Sequence, residues 1–482
     1  MSHRNRREFL EDSMFAAAAA VAANSGSELF GYPTEGPSPG GKLGVAVVGA
    51  RGRGGSHIGA FAGRKDTEIL YVCDVDHGVG ERRIREVAKR QGRQPQFEED
   101  IRHVLDDPKV DVVSIATPNH LHAVQAIWSM QAGKDVYLEK PASHNISEGR
   151  RIVQAARKYQ KICQVGTQCR SNPGTMAAIE HVRGGGIGTL NVARALCYKR
   201  RDSIGPRIIS RPPQDVNYDL WLGPAPRCPV TRRHFHHDWH WQWTYGNGEL
   251  GNQALHQLDI ARWGLGVDRH SRRILSYGGR FNCKDAADSA NTQVVVHDYG
   301  DQALVLEVRG LRSSSLRRAK VGVIFEGTDG YLVMHGYDKG AAFDLDGNKV
   351  CEFSGGGNHF DNFLRAVRSR AMTDLHADIE QGHLSSALCH LGNISYRLGR
   401  IVPTTQAELL VSSFGSAENT EETLARTLAH LQIHHANTDE LKVGQLLSFD
   451  SDSESFPDHR LANAMLTRSY RAPFAVPQAS DV

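Results

Sequence analysis

Short apolar runs alternate with helix-like segments between residues 42 and 166. The first run, residues 43–48, is apolar throughout and ends in a glycine-rich turn, which is typical of a strand buried in a parallel sheet. Because parallel strands are joined by right-handed crossovers, the alternation predicts a parallel sheet covered by helices. The predicted strands are 43–48, 69–72, 110–116, 135–138 and 162–165, and the predicted helices are 56–62, 80–91, 123–131 and 146–159.

The glycine-rich turn after the first strand has the chemistry of a phosphate site. Small residues let the backbone approach a pyrophosphate, and the following helix offers unpaired N–H groups. Taken alone, the turn could also be a plain flexible connection. Two of its glycines take the first and third positions of a Gly-x-Gly-x-x-Gly pattern, and an arginine replaces the second. The residues assigned to the cofactor here are Gly49, Arg51, Gly52, Arg53 and Gly54.

Asp74 ends the next predicted strand, at the distance from the glycines where a carboxylate binds the ribose hydroxyls of adenosine. A carboxylate there repels a 2′-phosphate, so the predicted cofactor is NAD. Arg51 and Arg53 leave NADP open.

The second half of the chain predicts an α+β domain with an open, mainly antiparallel sheet. The predicted fold class of the whole chain is therefore α/β, with an N-terminal Rossmann domain followed by this second domain. We expect a signal segment and linker (1–40), the Rossmann domain (41–166), the α+β domain (167–400) and a C-terminal extension packing on both (401–482). The predicted strands are 190–198, 293–296, 303–308, 321–325 and 331–334, and the predicted helices are 360–369, 383–398 and 417–431.

Composition excludes several classes of protein. The 482 residues carry 57 Lys and Arg against 54 Asp and Glu, a net charge of +3, which argues against a dedicated nucleic-acid binder. No apolar run reaches the roughly 20 residues that a membrane-spanning helix needs. We therefore expect no nucleic-acid partner and no membrane span.

The N-terminus resembles an export signal of the twin-arginine type. Arg6 and Arg7 precede Phe9-Leu10, and an Ala-rich stretch follows at residues 16–23. This pattern predicts a periplasmic or otherwise exported protein. The alternative is a disordered tail with a chance arginine pair, in which case the protein is cytoplasmic.

Two further motifs carry a family resemblance. Thr117-Pro118-Asn119-His120-Leu121-His122 follows the third predicted strand, and Glu139-Lys140-Pro141 follows the fourth. With the glycine-rich turn and Asp74, they resemble the Gfo/Idh/MocA (glucose–fructose oxidoreductase / inositol dehydrogenase) family over about residues 42–400. The resemblance implies NAD(P)-dependent oxidation or reduction of sugars and cyclitols. It also assigns cofactor contacts to Thr117, Pro118, Asn119, His122, Glu139 and Lys140.

The resemblance implies a catalytic pair as well. An alcohol that gives up hydride must lose its hydroxyl proton, which requires a base and a cation beside the carbinol. By resemblance Lys140 faces nicotinamide and substrate. His256 and Asp259 match the family's second motif, while Asn252 stands where an Asp is common. At helical spacing we expect Asn252, His256 and Asp259 to share one face.

The segment 234–243 is dense in His and Trp. It admits three readings: a metal site, a sugar-binding platform that lines the active site, or packing between domains or subunits. We favour the second and predict no metal. The substrate-binding candidates are Gln168, Trp239, Trp241 and Tyr245.

The leading hypothesis is an oxidoreductase that moves hydride between nicotinamide and a secondary alcohol of a sugar, glycoside or cyclitol, with a tightly bound, recycled cofactor. One alternative is an NAD-dependent glycosidase acting by oxidation and elimination. The other is a non-catalytic sugar-binding protein. The resemblance also implies a homo-oligomer, a dimer or tetramer formed through the exposed face of the second sheet.

Overall fold

The computed structural model describes residues 41–482; the predicted signal segment lies outside these residues. The N-terminal part contains a parallel six-stranded sheet in the order β3-β2-β1-β4-β5-β6, the Rossmann arrangement. Its strands are β1 (Leu43–Val48), β2 (Thr67–Cys73), β3 (Gln96–Glu98), β4 (Val112–Ile115), β5 (Asp135–Leu138) and β6 (Cys163–Val165). The predicted parallel sheet is confirmed, and the short edge strand β3 was missed because three residues carry no periodic signal.

Helices connect these strands and cover both faces of the sheet. The helix at 77–91 shows why they begin and end where they do: Asp76 accepts a hydrogen bond from the Val79 N–H (3.0 Å), and Gly92 ends the helix with φ +74°. The helices are α1 (Arg53–Phe61), α2 (His77–Gln91), α3 (Ile101–Leu105), α4 (His122–Gln131) and α5 (Ile146–Lys158).

The second sheet is mainly antiparallel, as predicted. Among the strands of residues 41–482, only the central pair of this sheet, β7 and β10, runs parallel. The strand order is β14-β13-β12-β11-β7-β10-β9-β8-β16-β15, with β17 also paired to β8. Its strands are β7 (Leu190–Cys197), β8 (Arg273–Gly279), β9 (Thr292–Asp298), β10 (Ala303–Arg309), β11 (Val321–Gly327), β12 (Gly330–Met334), β13 (Lys339–Asp344), β14 (Lys349–Ser354), β15 (Arg400–Ile401), β16 (Lys442–Val443) and β17 (Leu447–Ser448).

One face of the second sheet packs on three long helices and forms a large apolar core. Further helices connect these to the first sheet and to the chain end. The helices of this half are α6 (Pro173–Arg183), α7 (Tyr218–Leu222), α8 (Gly248–Gly251), α9 (Ala254–Leu265), α10 (His359–Ser369), α11 (Ile379–Leu398), α12 (Thr404–Ser412), α13 (Thr420–Ile433) and α14 (Arg460–Asn463). Among residues 41–482, no helix combines the length and apolarity needed to cross a bilayer.

The opposite face of the second sheet is not open. α12 and α13 lie on it and bury apolar residues that include Tyr277 and Phe414. A buried ionic network joins the two layers: Arg194 on β7 contacts Glu307 on β10 (3.0 Å) and Glu418 before α13 (2.8 Å). The expected exposed face is therefore covered by the chain's own extension, a feature the strand pattern did not reveal.

Parts of the C-terminal half also complete the Rossmann core. Phe360 on α10 stacks on Tyr137 of β5 at 4.4 Å between ring centroids. Val476 and Val482 join the apolar cluster on the other side of the same sheet. The boundary predicted at residue 166 therefore separates the two sheets, but residues from beyond it pack on both faces of the first sheet.

We expect Glu418→Ala to lower the free energy of unfolding by about 3 kcal/mol, because it removes one partner of a buried ion pair. Glu421→Ala, at an exposed acidic residue in the first turn of α13, is the matched control and should change the free energy of unfolding by less than about 0.5 kcal/mol. Urea unfolding followed by circular dichroism measures both. Equal, small effects of the two substitutions would contradict the structural importance of the network.

Candidate active site

A cleft of about 920 Å³ lies at the carboxyl ends of the Rossmann strands. In open α/β sheets this edge is where ligands bind. One wall consists of the turns after β1, β2, β4 and β5, and the facing wall comes from the His-rich segment and the start of α9. Sequence candidates lining the cleft are Gly49, Arg51, Gly52, Arg53, Asp74, Thr117, Pro118, Asn119, Glu139, Lys140, Gln168, Trp239, Asn252 and His256.

The glycine-rich turn is shaped by steric constraints. Gly49 has φ +79°, and a Cβ there would lie 2.8 Å from the backbone of Ala116 and Thr117. A Cβ on Gly54 would lie 1.9 Å from the Gly49 carbonyl oxygen. Gly54 does not line the cleft itself; it allows α1 to start directly against the turn. The N-terminus of α1 is thus left facing the cleft, as a pyrophosphate requires.

Asp74 holds this turn in place. Its carboxylate accepts hydrogen bonds from the N–H of Ala50 (2.7 Å) and of Asp76 (3.0 Å). Burial raises the pKa of Asp74 to about 6, and the backbone hydrogen bonds oppose that shift. The carboxylate also lines the cleft, the position expected for contact with a ribose. These residues therefore fit a dinucleotide.

Glu139 is the centre of a buried network. It accepts hydrogen bonds from Arg53 Nε (2.7 Å) and Gln168 Nε2 (3.0 Å), and His57 Nε2 lies 3.2 Å away. Burial raises the pKa of Glu139, but the His57 hydrogen bond and the charge of Arg53 outweigh burial and hold the pKa below its usual range. Because Arg53 is committed to this pair, it is less available for a 2′-phosphate than the sequence suggested.

Lys140 faces the cleft next to Glu139. Its Nζ donates a hydrogen bond to the backbone carbonyl of Asn252 (2.7 Å), which ties β5 to the second domain. Burial lowers the pKa of Lys140, and the charges of Glu139 and Glu249 offset part of that shift. A lysine with a lowered pKa and a fixed Nζ is suited to proton transfer.

Asn252, His256 and Asp259 do not share one helix face. α8 ends at Gly251 and α9 begins at Ala254, so the chain breaks at Asn252. His256 faces the cleft, whereas Asp259 is buried in a salt bridge with Arg170 (2.9 Å). The expectation of uniform helical spacing was wrong for Asn252, because the chain leaves the helix between Gly251 and Ala254. The structure brings Lys140, His256 and Asn252 together and leaves Asp259 in the core.

His256 is partly exposed to the cleft. Burial lowers its pKa to about 3, and the charge of Lys140 adds to the shift, so the imidazole is neutral near neutral pH. Within residues 41–482 its Nδ1 has no hydrogen-bond partner. Tyr337 packs edge-on against the ring at 5.4 Å between centroids. The ring is therefore held by packing and keeps a free nitrogen.

His240 is a cleft residue that sequence reasoning did not single out. Its ring stacks on Trp239 at 3.7 Å, and its Nδ1 lies 2.6 Å from the His237 carbonyl oxygen. That hydrogen bond places the proton on Nδ1 and leaves Nε2 as an acceptor. Burial lowers the pKa of His240 to about 3. The density of His in segment 234–243 was the available signal, but it did not distinguish this histidine from its neighbours.

Besides Gly54 and Asp259, three sequence candidates do not line the cleft. Trp241 packs with Ile204 in a separate apolar cluster. Tyr245 is buried with its hydroxyl 2.8 Å from Cys228 Sγ. His122 bridges two turns, with ring nitrogens 2.7 Å from the Pro141 carbonyl and 2.8 Å from the Thr117 carbonyl. They support the walls of the cleft rather than line it, because residue type alone does not specify orientation.

The His-rich segment does not form a metal cluster among the described residues. In residues 41–482, the one group of three possible ligands within 4.8 Å is His270, His383 and Glu454, away from the cleft. Arg150 also lies 2.7 Å from the Glu454 carboxylate. A cation already pairs with that carboxylate, which makes the group a buried ion-paired contact of the C-terminal segment.

Comparison with known proteins agrees with this geometry. The family model described as "Oxidoreductase family, NAD-binding Rossmann fold" matches residues 43–167. The model described as "Oxidoreductase family, C-terminal alpha/beta domain" matches residues 207–428. Both halves of the chain, and both walls of the cleft, therefore match one family.

Curated relatives include a levoglucosan dehydrogenase of Pseudarthrobacter phenanthrenivorans, 29% identical over 239 residues, covering 48% of this chain and 54% of that protein. An alpha-N-acetylgalactosaminidase of Shewanella oneidensis is 27% identical over 206 residues, covering 39% of this chain and 45% of that protein. The chain thus matches about half the length of these relatives.

Solved structures show the same fold. The WlbA dehydrogenase from Bordetella pertussis, in complex with NADH and UDP-GlcNAcA, aligns with a TM-score of 0.53 at 20% identity, covering 73% of this chain and 96% of that chain. A levoglucosan dehydrogenase in complex with NADH and levoglucosan aligns with a TM-score of 0.54 at 18% identity, covering 73% and 97%. With two family models matching its two halves, the chain belongs to the Gfo/Idh/MocA family of NAD-binding oxidoreductases.

Proposed function

We propose that this protein transfers hydride between NAD and a secondary alcohol carbon of a sugar, glycoside or cyclitol. The observation that carries the proposal is the position of Lys140. Its Nζ is hydrogen-bonded to the Asn252 carbonyl. Lys140 lines the same cleft as His256 and as Gly49 and Asp74, the residues proposed to bind the dinucleotide. A base and a cofactor site therefore share one cavity.

NAD, when bound, supplies the carbon that accepts or returns the hydride. Gly49 and Gly52 leave room for its phosphates, and Asp74 faces its ribose; Thr117, Pro118 and Asn119 line the same wall. Each fits by geometry: glycines stand at the positions in the turn where the backbone would approach the phosphates, and the carboxylate disfavours a 2′-phosphate. We therefore propose NAD rather than NADP as the working cofactor.

The chain's own residues handle the proton. Neutral Lys140 accepts the substrate hydroxyl proton at Nζ, while one N–H stays hydrogen-bonded to Asn252. In the reverse direction, the Lys140 ammonium stabilises the developing alkoxide oxygen and returns the proton to it. Neutral His256 and His240 offer ring nitrogens that orient substrate hydroxyls, and Trp239 gives a flat apolar surface beside them.

A second candidate keeps the same first step. Oxidation of a glycoside to a ketone acidifies a neighbouring C–H, so elimination can break the glycosidic bond. Addition of water to the unsaturated ketone and return of the hydride to its carbonyl carbon would then give the free sugar and regenerate NAD. The alpha-N-acetylgalactosaminidase among the relatives favours this candidate. A purely sugar-binding role is less consistent with a lysine and a histidine converging on one cleft.

Protein purified without added nucleotide, then denatured, should release NAD(H) at about one equivalent, measured by mass spectrometry. The holoprotein is next assayed on neutral glycosides for redox change and for free sugar. Net NADH formation supports the dehydrogenase, and free sugar without NADH supports the glycosidase. Protein that neither holds nor binds NAD would overturn both.

We expect Lys140→Met to lower kcat by about 10²–10⁴-fold while NAD remains bound, because the proton acceptor is lost. Lys89→Met, an exposed lysine of α2, is the control and should leave kcat unchanged. For alcohol oxidation, kcat of the wild type should rise with pH through an ionisation below the usual lysine pKa, since only the neutral amine accepts a proton.

The same pH profile separates the two candidate bases. His256→Gln should keep the inflection in place, because the pKa of His256, about 3, lies below the assay range. Lys140→Met should abolish the inflection. An inflection that persists in Lys140→Met and disappears in His256→Gln would reverse the assignment.

We further propose export through the twin-arginine pathway, supported by Arg6, Arg7 and the Ala-rich stretch that follows. A precursor with Arg6→Lys and Arg7→Lys should stay in the cytoplasm, as cell fractionation would show; unchanged export would contradict the signal.

A homo-oligomer, dimer or tetramer, also remains a proposal. Since α12 and α13 cover the sheet face expected to form it, any contact on that side would involve these helices, where Leu409 is 71% exposed.

A further inference from the structure

A second cavity, of about 520 Å³, adjoins the cleft. Tyr337 lines both cavities, and its hydroxyl accepts a hydrogen bond from Gln253, the residue after Asn252. The opposite side of Tyr337 packs on His256. The second cavity therefore begins one side chain away from the groups to which we assign the chemistry.

The lining of this second cavity is strongly basic. Lys199 and Arg200 come from the end of β7, Arg312 from the loop after β10, and Lys320 from the approach to β11. No Asp or Glu is among its lining residues in the described chain. Three separate segments thus direct positive charge into one concave surface.

Little in the protein neutralises these charges. Arg200 pairs with Asp202 at 3.1 Å, in an exposed and therefore weak contact. Within residues 41–482, Lys199, Arg312 and Lys320 form no ion pair; the Lys199 ammonium reaches only the Gln253 amide oxygen, at 3.3 Å. Gathering like charges around a cavity is unfavourable for the folded chain by itself. A bound anion would relieve the repulsion.

The surrounding side chains suit a polar, extended ligand. Gln253 and Ser313 add polar groups to the lining, and Tyr337 gives an aromatic edge between the two cavities. Tyr337 is 43% exposed, so a ligand can pass over it from one cavity to the other. The carboxylates that line the main cleft, by contrast, are Asp74, Glu99, Asp100 and Glu139, all from the Rossmann half.

We propose that the second cavity binds an anionic group, a carboxylate or a sulfate ester, on the sugar unit attached to the one that reacts beside Lys140. This inference rests on the proposed function and specifies its substrate class: acidic glycosides rather than neutral monosaccharides. Arg312 and Lys320 provide the charge, and Gln253 and Tyr337 mark the passage from the reacting unit to the acidic one.

The test uses isothermal titration calorimetry on NAD-loaded protein. The probes are cellobiose, maltose and lactose, each compared with its uronic-acid and 6-sulfate forms. At least one acidic form should bind about tenfold more tightly than its neutral parent, and the difference should shrink at high salt. Stronger binding of the uronate identifies a carboxylate ligand, and stronger binding of the sulfated form identifies an ester; either supports the proposal.

Paired variants locate the effect. Arg312→Gln with Lys320→Gln should remove the preference for the acidic form, without a change in affinity for the neutral parent. Lys42→Gln with Lys284→Gln, two exposed lysines that line neither cavity, removes the same charge and should retain the preference. Thermal unfolding checks that all variants are folded.

The proposal is overturned if no acidic form in the panel binds more tightly than its neutral parent. It is also overturned if the two double variants lose the preference for the acidic form equally. NAD release, measured on the same samples, reports on the proposed function separately. A protein that retains NAD and oxidises neutral glycosides but shows no preference would therefore refute the acidic subsite alone.

Discussion

The buried carboxylate of Glu139 is the contact on which the cofactor side of the cleft depends. It joins the end of β5 to α1 through Arg53 and His57, and to the turn after β6 through Gln168. An unpaired carboxylate at this depth would be costly, so these partners must be present together for the strand ends to keep their positions. Lys140 is the next residue along the chain, in the same turn after β5.

A second contact joins the two halves of the molecule at the proposed site of chemistry. Lys140 from the Rossmann sheet donates to the Asn252 carbonyl, at the break between α8 and α9. The break frees that carbonyl from helical hydrogen bonding and turns it toward the lysine. The departure of Asn252 from the Asp common in this family is therefore compatible with function, because the contact uses the backbone and not the side chain.

The C-terminal extension changes what the second sheet can do. α12 and α13 cover the face that the family resemblance left open, and the Arg194 network lies beneath them. The same sheet still supports the cleft on its other side, through β7 and α9. Within the described residues, the main cleft and the adjoining basic cavity remain open.

Local patterns in the sequence determined the Rossmann half and its motifs. Apolar runs of four to six residues, glycines at fixed spacing and the Glu139-Lys140 turn are short-range signals, and parallel strand ends meet at one edge whatever follows them. The mainly antiparallel second sheet was also predictable, although β8, β13, β14 and the two-residue strands β15, β16 and β17 were not. Tertiary structure alone decided which of the aromatic and imidazole side chains line the cleft. Trp239 and His240 face it while Trp241 and Tyr245 do not, because their orientation depends on an irregular segment packed between distant elements. Asp259 pairs with Arg170 for the same reason: a buried charge takes the partner that the fold places nearest, and no spacing rule within the sequence specifies it.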